Sequence, residues 1–192
     1  MNIRGLIFDC DGTLADTMPL HWQAWNRVTG RHGIRFSEER FYALGGVPSR
    51  DILAMLREEQ GLEIDPLAVA KEKEDAYLEL MHQAGPVEEV VRIAREHQGI
   101  LPMAVASGGL LPVIEKVLIH LGVRDLFQAV VTSEAVRHQK PAPDIFLEAA
   151  RRIGVPPQSC RAYEDTDLGL TAIRAAGMEA IDVRALRSQG NP

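Results

Sequence analysis

Short runs rich in Val, Ile, Leu and Ala alternate along most of the chain with longer amphipathic segments, and this rhythm constrains the fold more than any other feature. Runs at residues 3–8, 101–106, 128–132, 161–163 and 179–183 read as strands. Between and beside them, 87–97, 111–121, 145–153 and 168–176 carry helical periodicity, with Gly99, Gly122, Gly154 and Gly177 placed as C-terminal stops. Strand and helix in strict alternation predict an α/β, Rossmann-like three-layer core, a parallel sheet covered on both faces.

One region breaks the rhythm. From residue 17 to 84 the pattern predicts helices over 20–32, 37–44, 49–60 and 66–83, the last with Asp65 as N-cap and Pro66 in its first position. No strand interrupts them. The segment is too long for a loop and too polar for an independent core, so it reads as an all-helical cap inserted after the first strand. The expected division is a core of residues 1–16 and 85–192 and a cap of residues 17–84, hinged near Asp16 and Gly85-Pro86. There is no internal repeat and no low-complexity stretch.

A chain of 192 residues, 46% hydrophobic and 25% charged, buries a sizeable core. Its net charge of -6 argues against nucleic acid and against an anionic membrane surface, both of which require clustered Lys and Arg. A small anionic substrate remains compatible, because a site can be locally positive. The two cysteines, Cys10 and Cys160, are too few for a disulfide framework and suggest a reducing compartment, so the expected location is the cytoplasm. No apolar stretch approaches the ~20 residues of a membrane span, and Asp9 cuts the first apolar run too early for a signal peptide. The expected species is a monomer acting on a small molecule.

Ligands of an open α/β sheet bind beyond the carboxyl ends of its strands. There the chain places Asp9-Cys10-Asp11-Gly12-Thr13 after the first strand and Ser107-Gly108-Gly109 after the second. Lys140 follows the third, and Glu164-Asp165-Thr166-Asp167 the fourth. Carboxylates this close repel one another unless a hard cation sits among them. Mg2+ favours one or two carboxylates, water and a substrate phosphate. Ser107 and the amides after it can hold phosphate oxygens, and Lys140 supplies a point charge for a phosphoryl group. Taken singly, Asp9 reads as a strand-end cap and Ser107-Gly108-Gly109 as an ordinary turn; taken together, the four segments point to phosphoryl chemistry.

The segments "DCDGTLADT", Ser107 after "MAVA", "KPAPD" and "EDTDLG" resemble, in order, the four motifs of the haloacid dehalogenase superfamily. The insertion after the first motif resembles the cap of its beta-phosphoglucomutase-like subfamily. "HLGVRDLFQAVV", "VRHQKPAPD" and "RAAGMEAIDVR" resemble in particular the bacterial fructose-1-phosphate phosphatase branch. The resemblance implies a Mg2+-dependent phosphatase acting on a small sugar phosphate. In it Asp9 is the nucleophile that becomes an aspartyl phosphate, and Asp11 is the general acid and base. Asp9, the Asp11 backbone carbonyl and Asp165 would bind Mg2+, with Glu164 orienting the shell. Ser107, Gly108 and Lys140 would grip the transferring phosphate, while Gly12 and Thr13 shape the loop. A dehalogenase of the family needs neither metal nor second acid, so Asp11 and the Glu164-Asp165 pair speak against one.

In the cap, His21, Arg50 and Lys73 align approximately with positions that contact substrate, or adjust the acid/base residue, in the mutase relatives. Arg50 follows the glycine-rich "LGGVPS", expected to dip toward the site; Lys73 lies in "KEKED", a charged run that by itself reads as a solvated helix face. The mutases hold a second phosphate with a lysine and an asparagine after the motif serine, where this chain has Gly109-Leu110-Leu111, so phosphatase is favoured over mutase. Cys10, Trp22 and Trp25 read as packing residues, His97 and His138 as surface residues, and Asp167 as the cap of the helix that follows.

Overall fold

The computed structural model describes residues 2–187. Strands β1 (Gly5–Phe8), β2 (Met103–Ser107), β3 (Ala129–Thr132), β4 (Cys160–Glu164) and β5 (Glu179–Asp182) form one parallel sheet in the order β3-β2-β1-β4-β5. β1 lies at its centre, with Leu6 opposite Met103 on one side and Arg161 on the other. The chain builds outward through β2 and β3 and then crosses back to β4. The strand order therefore reverses at β1, which opens a crevice at its carboxyl end.

The first two strands begin two residues later than their apolar runs. Leu101 donates its N–H to the His97 carbonyl, closing a helix end, and Pro102 has no N–H to give to a ladder. Along β1 the pleat alternates: Leu6 and Phe8 face one layer, Ile7 the other.

Helices α1 (Met18–Arg31), α2 (Glu38–Ala43), α3 (Ser49–Gln60) and α4 (Pro66–Leu80) occupy the interval between β1 and the rest of the sheet. Asp65 caps α4 through Oδ1, which accepts from Leu67 N–H at 3.0 Å, and the last predicted residues tighten into a separate turn at Met81–Gln83. These helices make no core of their own: Trp25, Leu53, Leu56 and Tyr77 belong to the same apolar cluster as Phe8 and Leu14.

Helices α5 (Glu88–Glu96), α6 (Leu111–His120), α7 (Asp144–Arg152) and α8 (Asp167–Ala175) cover the sheet, and a short α9 (Arg184–Arg187), which no periodicity announced, follows β5. α7 and α8 pack on an alanine-rich sheet face that includes Ala104, Ala106, Ala129 and Ala162, where small side chains permit close approach.

The two connections into and out of α1–α4 run side by side. Asp16 N–H donates to the Gly85 carbonyl at 2.8 Å, Val87 N–H to the Leu14 carbonyl at 2.9 Å, and Ala15 bridges Pro86.

Candidate active site

Asp9 extends the ladder by one rung, its N–H donating to the Tyr163 carbonyl at 3.0 Å, and this sets its carboxylate at the sheet edge. The loop beyond it folds around the Cys10 carbonyl, which accepts from the N–H groups of Thr13, Leu14 and Ala15. Gly12 has φ of +86°, and a Cβ there would collide with the Asp165 carboxylate, so backbone sterics and the neighbouring acid both require glycine. Cys10 is fully buried in the core between the two aspartates.

Asp9, Glu164 and Asp165 bring carboxylate oxygens within 4.8 Å of one another. Lys140 reaches into this group, donating from Nζ to Asp9 Oδ1 and to Glu164 Oε2, each at 2.7 Å. Burial opposes the charge on Lys140, but the two carboxylates outweigh it and hold its pKa above the ordinary lysine range. Asp9 is raised well above the usual carboxylate range by burial and then by Glu164. Asp165 is raised in the same way, against the opposing hydrogen bond from Thr13 Oγ1 at 2.9 Å.

Glu164 has little left to offer an ion. Its Oε1 accepts from Asp165 N–H, Thr166 N–H and Thr166 Oγ1, and its Oε2 is taken by Lys140. A cation would be bound by Asp9 and Asp165, with Glu164 orienting the loop. Two carboxylates, Asp9 buried and Asp165 half-buried, whose ionisation is suppressed by burial and by Glu164, form a donor set that fits a hard divalent ion such as Mg2+. The Asp11 carboxylate lies outside this group; the expectation for Asp11 as a ligand concerned its backbone carbonyl only.

Asp11 turns instead toward α1. Its Oδ1 accepts from Thr17 Oγ1 at 2.7 Å and lies 3.1 Å from His21 Nε2. His21 Nδ1 is 2.8 Å from Lys73 Nζ, which has only protons to give, so Nδ1 accepts and Nε2–H points at Asp11. The imidazole stacks on Tyr77 at 3.8 Å. Burial works to raise the Asp11 pKa, but His21, Thr17 and the Lys73 charge outweigh it and hold it at about 2.

Lys73 is therefore not on a solvated face. It is 3% exposed, on the buried stripe of α4 with Val69, Ala70, Ala76 and Tyr77, because the helical period outranks the charge of its immediate neighbours.

Ser107, 1% exposed, ends β2, and its Oγ accepts from Gly109 N–H at 3.1 Å. The loop 44–47 of the helical insertion lies directly over these residues. A Cβ on Gly108 would collide with the Gly46 carbonyl, one on Gly45 with Thr166, and one on Gly46 would press on the Lys140 stem. Arg50 follows this loop and lines the cavity, with Nε donating to Asp51 at 3.3 Å. Asp9, Asp11, Ser107, His21 and Arg50 all open onto one cavity of about 500 Å³ between the sheet edge and α1–α4.

Several contributors went unnoticed in the sequence. Thr17 and Thr166 are hydroxyls within quoted motifs, and their contacts were open to suspicion there. Thr166, not Asp167, caps α8, with Oγ1 accepting from Gly169 N–H at 3.0 Å, while Asp167 is exposed and pairs with Arg184. Arg187, from the unannounced α9, donates to the Gly12 carbonyl at 2.7 Å and to Asp16 at 3.3 Å, a long-range contact with no local signal. His138 is exposed beside Asp144. Trp25 is buried and Trp22 packs on Phe36 and Phe41, as expected of packing residues.

A family model described as haloacid dehalogenase-like hydrolase matches residues 3–177. The chain is 42% identical to the Escherichia coli fructose-1-phosphate phosphatase YqaB over 182 residues, covering 95% of this chain and 97% of that protein. It is 30% identical to the beta-phosphoglucomutase of Bacillus subtilis over 99% of this chain and 85% of that one. Among solved structures, a beta-phosphoglucomutase from Clostridium difficile superposes with a TM-score of 0.82 at 27% identity, covering 96% and 87% of the two chains. CbbY from Rhodobacter sphaeroides in complex with phosphate also gives 0.82, at 27% identity over 94% and 85%.

Proposed function

Since the chain belongs to the haloacid dehalogenase-like hydrolase family, we propose that it is a Mg2+-dependent phosphatase that releases phosphate from a fructose 1-phosphate-like sugar through an aspartyl phosphate on Asp9. That it is a phosphatase of sugar phosphates follows from the family match and the 42% identity to a phosphatase. The finer reading rests on one observation above all: a buried Asp9 carboxylate, clamped by Lys140 and facing the same cavity as a separately held Asp11.

An Asp9 oxygen attacks phosphorus, the P–O bond to the sugar breaks, and the leaving oxygen takes a proton that Asp11 has received from His21 Nε2, while Lys73 Nζ gives one to His21 Nδ1. Water then gives a proton to the Asp11 carboxylate and attacks phosphorus, which breaks the Asp9–phosphorus bond and frees inorganic phosphate. Asp11 waits as a carboxylate, suited to the second step. For the first step, His21 Nε2–H at 3.1 Å is the nearest proton, with Lys73 behind it to resupply Nδ1. Ser107, the Gly108 amide and Lys140 hold the phosphoryl oxygens. Bound Mg2+ would neutralise charge on the transferring group between Asp9 and Asp165.

The test is phosphate release with Mg2+ and then with EDTA, across fructose 1-phosphate, both glucose 1-phosphate anomers, glucose 6-phosphate and 6-phosphogluconate. Mg2+-dependent release, strongest for fructose 1-phosphate, is expected. Conversion of beta-glucose 1-phosphate to glucose 6-phosphate without phosphate release would make the enzyme a mutase. Release unaffected by EDTA would remove the metal from the reading.

A further inference from the structure

We infer that Glu74, braced by Ser49, is a hydroxyl-reading subsite for the leaving group, which selects neutral polyol monophosphates and disfavours substrates with a second anion. The inference rests on the phosphatase reading and deepens it.

Glu74 lies on α4 with its side chain 15% exposed, and it lines the same cavity as Asp9 and Asp11. Its Oε1 accepts from Ser49 Oγ at 2.8 Å and from Lys73 Nζ at 3.1 Å. Its Oε2 has no hydrogen-bond partner among the described residues. Burial opposes the charge, yet Lys73, His21 and Ser49 overcome it and keep the carboxyl below its ordinary range. An ionised carboxylate accepts and never donates, so the free oxygen requires a donor from whatever fills the cavity. Sugar hydroxyls are such donors.

Position decides what Glu74 meets. Contacts of 3.1, 2.8 and 3.1 Å lead along the wall from Asp11 through His21 and Lys73 to Glu74. A substrate whose ester oxygen sits at Asp11 extends its far end toward that carboxylate.

The charges around it do not favour a second phosphate. Lys73 is spent on His21 and Glu74, and Lys71 on Asp75 at 2.7 Å. Arg50, 41% exposed, turns Nε to Asp51, so its charge is offset and screened by water. A phosphate or carboxylate beside a half-buried, ionised Glu74 would meet repulsion in a poorly screened wall. Hydroxyls instead make charge-assisted hydrogen bonds, about twice as strong as neutral ones.

The experiment compares kcat/KM of the wild type, E74Q and E74D, with Mg2+, on fructose 1-phosphate, ethyl phosphate and fructose 1,6-bisphosphate. Ethyl phosphate has no hydroxyl to read. E74Q is expected to lower the ratio of fructose 1-phosphate to ethyl phosphate about tenfold, the scale of one lost bond to a charged group. It should also raise the ratio of bisphosphate to monophosphate, while E74D, which keeps the charge, should restore discrimination against the bisphosphate. If Glu74 acts only by bracing Lys73, His21 and Asp11, all three substrates fall together, both ratios hold, and the subsite is refuted. Wild-type protein inactive on all three would instead refute the phosphatase reading itself.

Discussion

Asp9 sits in electrostatic conflict with its surroundings: it is buried beside two acids and held by one lysine. Asp9→Asn removes a charge that burial and Glu164 both disfavour, while leaving the volume nearly unchanged. It should abolish phosphate release, yet the Tm measured without metal should equal or exceed that of the wild type. A substantial fall in Tm would mean that the Lys140 bond outweighs the repulsion. Asp9 and Asp11 were legible in the sequence because two aspartates separated by one residue at a strand end have few structural reasons to be there. His21 as the residue that points a proton at Asp11 was only half legible: its position suggested a role, but its tautomer follows from Lys73, 52 residues away.

Elements carry the next set of consequences. α4 delivers Lys73 as a buried cation to both His21 and Glu74, so Lys73→Met strands a carboxylate in the wall and unpins the imidazole. Removing one partner of a buried charged pair costs roughly 3–5 kcal/mol, which differential scanning calorimetry should register as a clear drop in Tm alongside a fall in kcat. A Tm near that of the wild type would show that water replaces the ammonium. The loop 44–47 makes a different prediction. Gly108→Ala would drive a methyl group into the Gly46 carbonyl, and backbone cannot yield as a flexible side chain does. The loop must lift off the sheet edge at Ser107, so kcat/KM should fall by more than tenfold while the sheet, untouched, keeps most of its stability. Equal losses in both would mean that the contact serves folding rather than closure over the site.

At the scale of the whole molecule, β1 and β4 meet at an edge where the carboxylates of Asp9, Glu164 and Asp165 crowd together. The pKa of Asp9 is raised in the folded state and that of Asp165 to about 7, by burial and by Glu164. The metal-free fold therefore binds more protons than the unfolded chain above the ordinary carboxylate pKa. The stability these groups contribute is fully present below about pH 4 and is lost as pH rises through their folded-state values. On the proposed reading Mg2+ binds the ionised forms, so the stabilisation it adds, followed as a rise in Tm, should be small at pH 5.5 and large at pH 8, where it approaches about 2.7 kcal/mol at a hundredfold excess over Kd. An increment independent of pH would place the ion elsewhere. The fold class was open to reading from the start, because strand and helix periodicities are local and each run shows which face it buries. The edge residues were equally open, since a parallel sheet brings the ends of its strands together. What lies between distant elements was not: Lys73 reads as solvated in its own segment and is buried only because α1 and α3 pack on α4. Gly108 looks like a turn until the Gly46 carbonyl is seen above it, and Arg187 touches Gly12 only through the return of the chain after β5. Local order is encoded in a few neighbouring residues, whereas proton positions, close contacts and cavity walls depend on which surfaces meet, and only the tertiary structure decides that.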